Sequence, residues 1–174
     1  MIAINQANKT CDFEVIERLA DTIWRKHYIP IVGKPQIDYM LDKFQSVKAM
    51  EEQVATGYEY YTVFYEELPV GYMSVKPESE YFFLSKIYVL SAYRGKGIGK
   101  TMMLFIEEKA KTYNLNKIRL TVNKYNINSI KAYEKMGFKN VRELVQDIGN
   151  GFVMDDFELV KMLAIPAKAG IHLL

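Results

Sequence analysis

The residues Arg94-Gly95-Lys96-Gly97-Ile98-Gly99-Lys100-Thr101 bring three glycines and three cations into eight positions. Glycines carry no Cβ, so several backbone N–H groups can close on one ligand. Arg94, Lys96 and Lys100 add formal positive charge around them. The apolar run Tyr81 to Leu90 precedes this segment and reads as a strand. A helix is predicted from Ile98 to Tyr113, with Met102, Phe105, Ile106 and Ala110 at 3.6-residue spacing on its inner face. N–H groups at a helix N-terminus, backed by the dipole, favour a phosphate or pyrophosphate. The same residues would also make a plain strand-to-helix turn with solvated lysines. Two familiar nucleotide loops are excluded by spacing. A P-loop needs glycine where Arg94 stands, and a dinucleotide fingerprint needs two residues, not one, between Gly97 and Gly99.

What the segment does match is Arg-x-x-Gly-x-Gly. Ile87-Tyr88-Val89, followed by Tyr93 to Gly99, resembles the acetyl-CoA-binding segment of the GNAT superfamily of N-acetyltransferases. A second block strengthens the likeness: Val122-Asn123-Lys124-Tyr125-Asn126, then Ser129-Ile130, then Tyr133-Glu134-Lys135-Met136-Gly137-Phe138. It is similar to the family's Asn-containing loop and its Tyr-Glu-Lys-x-Gly-Phe helix end. The resemblance spans roughly Phe82 to Phe138 by motif, and element order extends it to about Ala164.

The resemblance implies a set of site residues. The main chain of Ile87, Tyr88 and Val89 would pair with the pantetheine arm of CoA. Arg94, Gly95, Lys96, Gly97, Ile98, Gly99 and Lys100 would hold the pyrophosphate. Asn126 would touch CoA, cap the following helix, or do both. Asn123 is a weaker candidate for the same contact. Tyr133 would lie near the CoA sulfur and protonate the departing thiolate, unless it is only a core aromatic beside Met136.

The chemistry can also be reasoned without the family. An amine attacks a thioester only as the free base, whereas an alkylammonium has a pKa of ~10.4. A base must therefore remove a proton, and the developing oxyanion needs donors such as the Val89 N–H. No covalent enzyme intermediate is required, so direct transfer in a ternary complex is expected. Many members of the superfamily carry a Glu on the strand before the loop; here that stretch is Phe82-Phe83-Leu84-Ser85-Lys86. Glu80, Asp147, Asp155 and Asp156 remain as candidate bases. Trp24, His27, Tyr28, Ile31 and Tyr39 could wall an aromatic acceptor pocket, or be ordinary core.

These residues need elements to hold them. Asp12 to Tyr28 has Ile16, Leu19, Ala20, Ile23 and Trp24 on one face and reads as a helix capped by Asp12 and broken by Pro30 and Gly33. Gln36–Phe44 and Val47–Ala55 read as one or two shorter helices. Tyr58–Tyr65 and Val70–Val75 read as a hairpin about a turn at residues 66–69. Lys117–Val122 alternates as a half-buried strand, Asn126–Met136 is helical, and Val141–Asp147 and Phe152–Leu163 are strands. The fold class is therefore α/β (α+β), with a parallel strand–helix–strand step at its centre. The resemblance implies a GNAT fold. Its sheet would be mixed, mostly antiparallel and twisted, with six to seven strands splayed at the acetyl-CoA site and about four flanking helices. Residues 1–163 are expected to form a single acetyltransferase domain, and 164–174 a flexible or loosely docked extension.

The bulk composition narrows the class. The chain has 174 residues and a formal charge of +2. That balance conceals 12 Lys/Arg against 3 Asp/Glu from Tyr81 to Asn140, leaving 11 basic and 18 acidic residues elsewhere. A basic middle in an acidic frame fits a polyanionic cofactor and a cationic acceptor. Cys11 is the only cysteine, which excludes an intrachain disulfide and multi-thiolate metal sites. It is expected to be buried or half-buried. His27 and His172 lie far apart in the chain, so no metal is expected. No signal peptide or bilayer-length apolar run is evident, and a cytoplasmic setting is expected. The acceptor is expected to be a small-molecule, polyamine-like or peptide amine, and a homodimer is compatible. Neither nucleic acid nor membrane is expected as a partner. The alternative is a non-catalytic CoA-binding regulatory module of the same fold.

Overall fold

Segments rich in β-branched and aromatic residues pair into one sheet, and amphipathic helices cover both of its faces. The computed structural model describes residues 1–164. Apart from Ala164, the extension expected at 164–174 lies outside the described residues. In chain order the elements are β1 (Ile2–Gln6), α1 (Thr10–Val32), α2 (Lys34–Gln45), α3 (Val47–Ala55), β2 (Glu59–Tyr65), β3 (Leu68–Pro77) and β4 (Phe82–Val89). Then follow α4 (Ile98–Thr112), β5 (Lys117–Asn123), α5 (Ile127–Lys135), β6 (Lys139–Gly149) and β7 (Phe152–Met162). The strands lie in the order β1-β2-β3-β4-β5-β7-β6. Every adjacent pair is antiparallel except β4 with β5. This is the expected α/β architecture. Five α-helices, rather than about four, are present among the described residues, because Ser46 separates α2 from α3 and caps α3 through the Ala49 N–H.

Three local expectations are corrected. Strand β1 was not foreseen; only Ile2 and Ile4 alternate in it, and it is held by its pairing with β2. Helix α1 starts two residues before Asp12, which sits in its first turn. Its carboxylate accepts from the N–H of Asn8 at 2.9 Å and of Lys9 at 3.0 Å. Pro30 does not stop the helix, which runs on to Val32 and ends at Gly33 with φ +88°. Pro30 forfeits its N–H···O bond to Lys26 and crowds that carbonyl, and the helix ends within three residues of it. Cys11, expected to be buried or half-buried, is exposed. No helix among the described residues is long and apolar enough to cross a membrane.

The core has two parts, one on each face of the sheet. On one face Ile98, Met102, Met103, Ile106 and Ala110 of α4 pack on Val63, Met73, Phe82, Leu84 and Leu120. On the other, Ile16, Ala20, Trp24, Ile37 and Met50 from α1–α3 pack on Tyr60 and Tyr72. Each large side chain buried this way contributes ~1.5–3 kcal/mol.

Two irregularities of β4 shape the site. It pairs with β5 only at Phe82↔Ile118 and Phe83↔Arg119, after which the strands diverge. Against β3 the register shifts: Val75 opposes Leu84 while Ser74 opposes Lys86, so Ser85 is a bulge. Before the bulge, Phe82 and Leu84 face the α4 side; after it Ile87 and Val89 do, and Tyr88 and Leu90 face α1. Gly71 holds β3 close to β4 here, since a Cβ on it would lie 2.5 Å from the Tyr88 carbonyl oxygen.

Candidate active site

Two cavities flank the divergence of β4 and β5 and share a wall. The first, of about 460 Å³, is enclosed by β4, the N-terminus of α4, β5 and α5. The second, of about 550 Å³, lies toward α1, α2 and the β6–β7 hairpin. Tyr28, Ser85, Lys86, Tyr88, Thr121 and Val122 line both.

Most residues expected to bind the cofactor line the first cavity: Ile87, Tyr88, Val89, Arg94, Gly95, Gly97, Ile98, Gly99, Asn126 and Tyr133. Past Phe83 the β4 backbone has β3 on one edge and no paired strand on the other. Its free N–H and C=O groups can therefore pair with an extended ligand. Gly95 and Gly97 have φ of +80° and +77°, a left-handed conformation that favours glycine. Gly99 lacks that constraint, yet a Cβ there would meet nothing within 4 Å. Nothing inside the protein requires its smallness, which fits a loop open to a ligand. Lys96 and Lys100 fall outside the lining, and the Lys96 ammonium instead stands 5.7 Å from the centroid of the Tyr65 ring.

Asn126 is only 5% exposed and precedes α5, but its side chain makes no cap hydrogen bond. It instead faces His27 and Tyr28, pushing the first pKa up and the second down. Burial outweighs that contact at His27 and lowers its pKa, favouring the neutral ring. Asn123 serves the turn before α5, accepting from the Tyr125 N–H at 2.9 Å. Tyr133 stands edge-on to Phe138, with ring centroids 5.7 Å apart. Burial, and then the neighbouring Tyr28, raise its phenol well above the ordinary tyrosine value. It therefore stays protonated and can donate.

The four candidate bases separate by position. Glu80 is exposed and lines neither cavity. Asp155 is ion-paired with Lys124 at 2.8 Å. Asp147 is exposed at the edge of the second cavity and accepts from the Gly149 N–H at 2.8 Å. Asp156 is 5% exposed and lines the second cavity. Burial, and then Asp155, push its pKa up to about 6, against the pull of Lys124.

The aromatic wall is partly as expected. Trp24 and Tyr28 line the second cavity, His27 and Tyr28 the first. The Tyr28 and Tyr88 hydroxyls are 3.0 Å apart. Tyr39 instead braces the hairpin, donating to the Ile148 carbonyl at 2.6 Å. Ile31 lines neither cavity. Sequence reasoning missed Lys86, whose direction depends on the bulge at Ser85.

A profile described as the Acetyltransferase (GNAT) family matches residues 17–138. Spermidine N(1)-acetyltransferase of Thermoplasma acidophilum is 26% identical over 150 residues, covering 83% of this chain and 90% of that protein. The uncharacterized N-acetyltransferase YjgM of Escherichia coli is 33% identical over 89 residues, covering 49% of this chain and 53% of that protein. So the chain spans about half the length of that relative. Among solved structures, the PaiA N-acetyltransferase of Thermoplasma acidophilum, in complex with coenzyme A, superposes with a TM-score of 0.77. It is 23% identical, and the match covers 93% of this chain and 99% of that one.

Proposed function

The chain belongs to the acetyltransferase (GNAT) family, and from that premise we propose that it moves the acetyl group of acetyl-CoA to a primary amine by direct attack in a ternary complex. The observation that carries this reading is the wall shared by the two cavities. Acetyl-CoA would occupy the first, its pyrophosphate on the N–H groups of residues 94–99 and its pantetheine arm along the free edge of Ile87 to Val89. The amine would enter the second. The coenzyme A complex of the Thermoplasma protein supports the cofactor, and the spermidine acetyltransferase supports an amine acceptor. A cytoplasmic setting, where acetyl-CoA is available, fits this reading.

Each step has a residue. Asp156, ionised above about pH 6, takes the proton that the ammonium must lose. Charge developing on the thioester oxygen is met by the Val89 N–H. Tyr133, kept protonated by burial, gives its proton to the departing thiolate. Cys11 is exposed on the first turn of α1 and has no part in this scheme.

The test is thiol release from acetyl-CoA across a panel of amines. Saturable release with at least one amine is expected. Release no faster than hydrolysis for every amine would overturn the reading.

A further inference from the structure

The second cavity is lined by a buried carboxylate and a half-buried ammonium that do not meet. Asp156 stands on β7 and Lys86 on β4. The bulge at Ser85 is what turns Lys86 to the acceptor side, in line with Tyr88. Without it Lys86 would alternate into the apolar core under α4 with Phe82 and Leu84. The Lys86 ammonium has one hydrogen bond, to the Ser85 hydroxyl at 2.8 Å. No carboxylate among the described residues lies within ion-pair distance of it.

The contrast with the other lysine of this cavity is informative. Lys43 is satisfied by the Ile148 carbonyl and the Tyr39 hydroxyl, at 2.5 and 3.1 Å. Lys86 keeps donors to spare. A desolvated cation is costly unless a partner answers it. Burial alone moves the Lys86 pKa, down to about 8, with no carboxylate pulling it back up. A cavity built solely for polycations would gain nothing from a half-buried ammonium, which repels them.

Resting on the acetyltransferase reading, we propose that the acceptor is an amine that also bears a carboxylate, its anion held by Lys86 and its amine directed to Asp156. β4 and β7 lie two strand spacings apart, ~10 Å before the splay widens them. A small amino acid, reached by the long lysine stem, spans what is left. Eight of the residues lining this cavity carry aromatic or thioether side chains, including Trp24, Phe44 and Tyr58, so an apolar side chain on the acceptor is accommodated.

The experiment compares matched acceptors: lysine with cadaverine, ornithine with putrescine, tyrosine with tyramine and with tyrosine amide. The wild type is expected to favour the carboxylate-bearing member by roughly tenfold or more in kcat/KM, as for a charge-assisted hydrogen bond. In Lys86→Met that preference falls by a similar factor, through the acceptor KM, while the KM for acetyl-CoA holds. Lys86→Arg, which keeps the charge, restores part of it. Removing a half-buried cation that has no carboxylate partner among the described residues should not unfold the protein, and the thermal midpoint of Lys86→Met checks this. A wild type that prefers cadaverine, putrescine or tyramine overturns the assignment and leaves the acetyltransferase reading intact. So does a preference that Lys86→Met does not change, or an effect confined to the KM for acetyl-CoA. Release from no amine at all overturns both.

Discussion

At the scale of single residues, Asp156 links stability and rate through one shift. Its folded pKa, about 6, lies above that of an exposed carboxylate. The folded protein therefore binds this proton more tightly than the unfolded chain, and the group's stabilising contribution is lost as pH rises from about 4 to about 6. Asp156→Asn is expected to raise stability at pH 7 by ~1–3 kcal/mol, measured by denaturant titration. As the base, the ionised form is the active one, so kcat/KM should climb through about pH 6 and then level. The asparagine variant should lose ~10²–10⁴-fold in rate and that pH step with it. A variant with wild-type rate removes Asp156 from the mechanism.

At the scale of elements, the glycine loop gives the cleanest test. Gly97→Val would strain a left-handed residue, so weaker binding there would be ambiguous. Gly99 has no positive φ and open space around it, so Gly99→Val probes the ligand's approach more directly. Its KM for acetyl-CoA is expected to rise at least tenfold with the thermal midpoint shifted by only a few degrees. Unchanged affinity would sink the cradle.

Much of this architecture was readable. The 3.6-residue period from Ile98 and the alternation of Ile118, Leu120 and Val122 predict α4 and β5 directly, because each buries one face. The glycine loop and Tyr133 are singled out by the resemblance, and residues of both line the first cavity. Strand β1 was not readable, since an edge strand with two apolar residues is defined by its partner. Neither was the orientation of Lys86, because a bulge is a property of two paired strands, and either strand alone shows only alternation. Asp156 stood among four carboxylates with nothing to rank them until burial did.

At the scale of the whole molecule, the charge asymmetry resolves only in part. Arg94 lines the first cavity, but Lys96 lies over Tyr65, and Lys124 is tied up by carboxylates. Four of the twelve cations of the basic middle, Lys109, Lys111, Arg119 and Lys124, are ion-paired among the described residues. In the proposed cradle, backbone N–H groups rather than lysines would carry the affinity for an anion.

The divergence of β4 and β5 has a mechanical side as well. Two residue pairs are all that join β1–β4 to β5–β7 within the sheet. A cofactor lying along that gap would be a structural member as much as a reagent, mending a seam the chain leaves open. Amide exchange at Ile87 to Val89 should slow on saturation with CoA, and the whole protein should gain ~2.7 kcal/mol at a hundredfold excess over Kd. Uniform protection without a local effect at β4 would contradict the seam. The lifetime of the folded chain in a cell would then follow the supply of its own cofactor, with scarcity marking it for proteolysis.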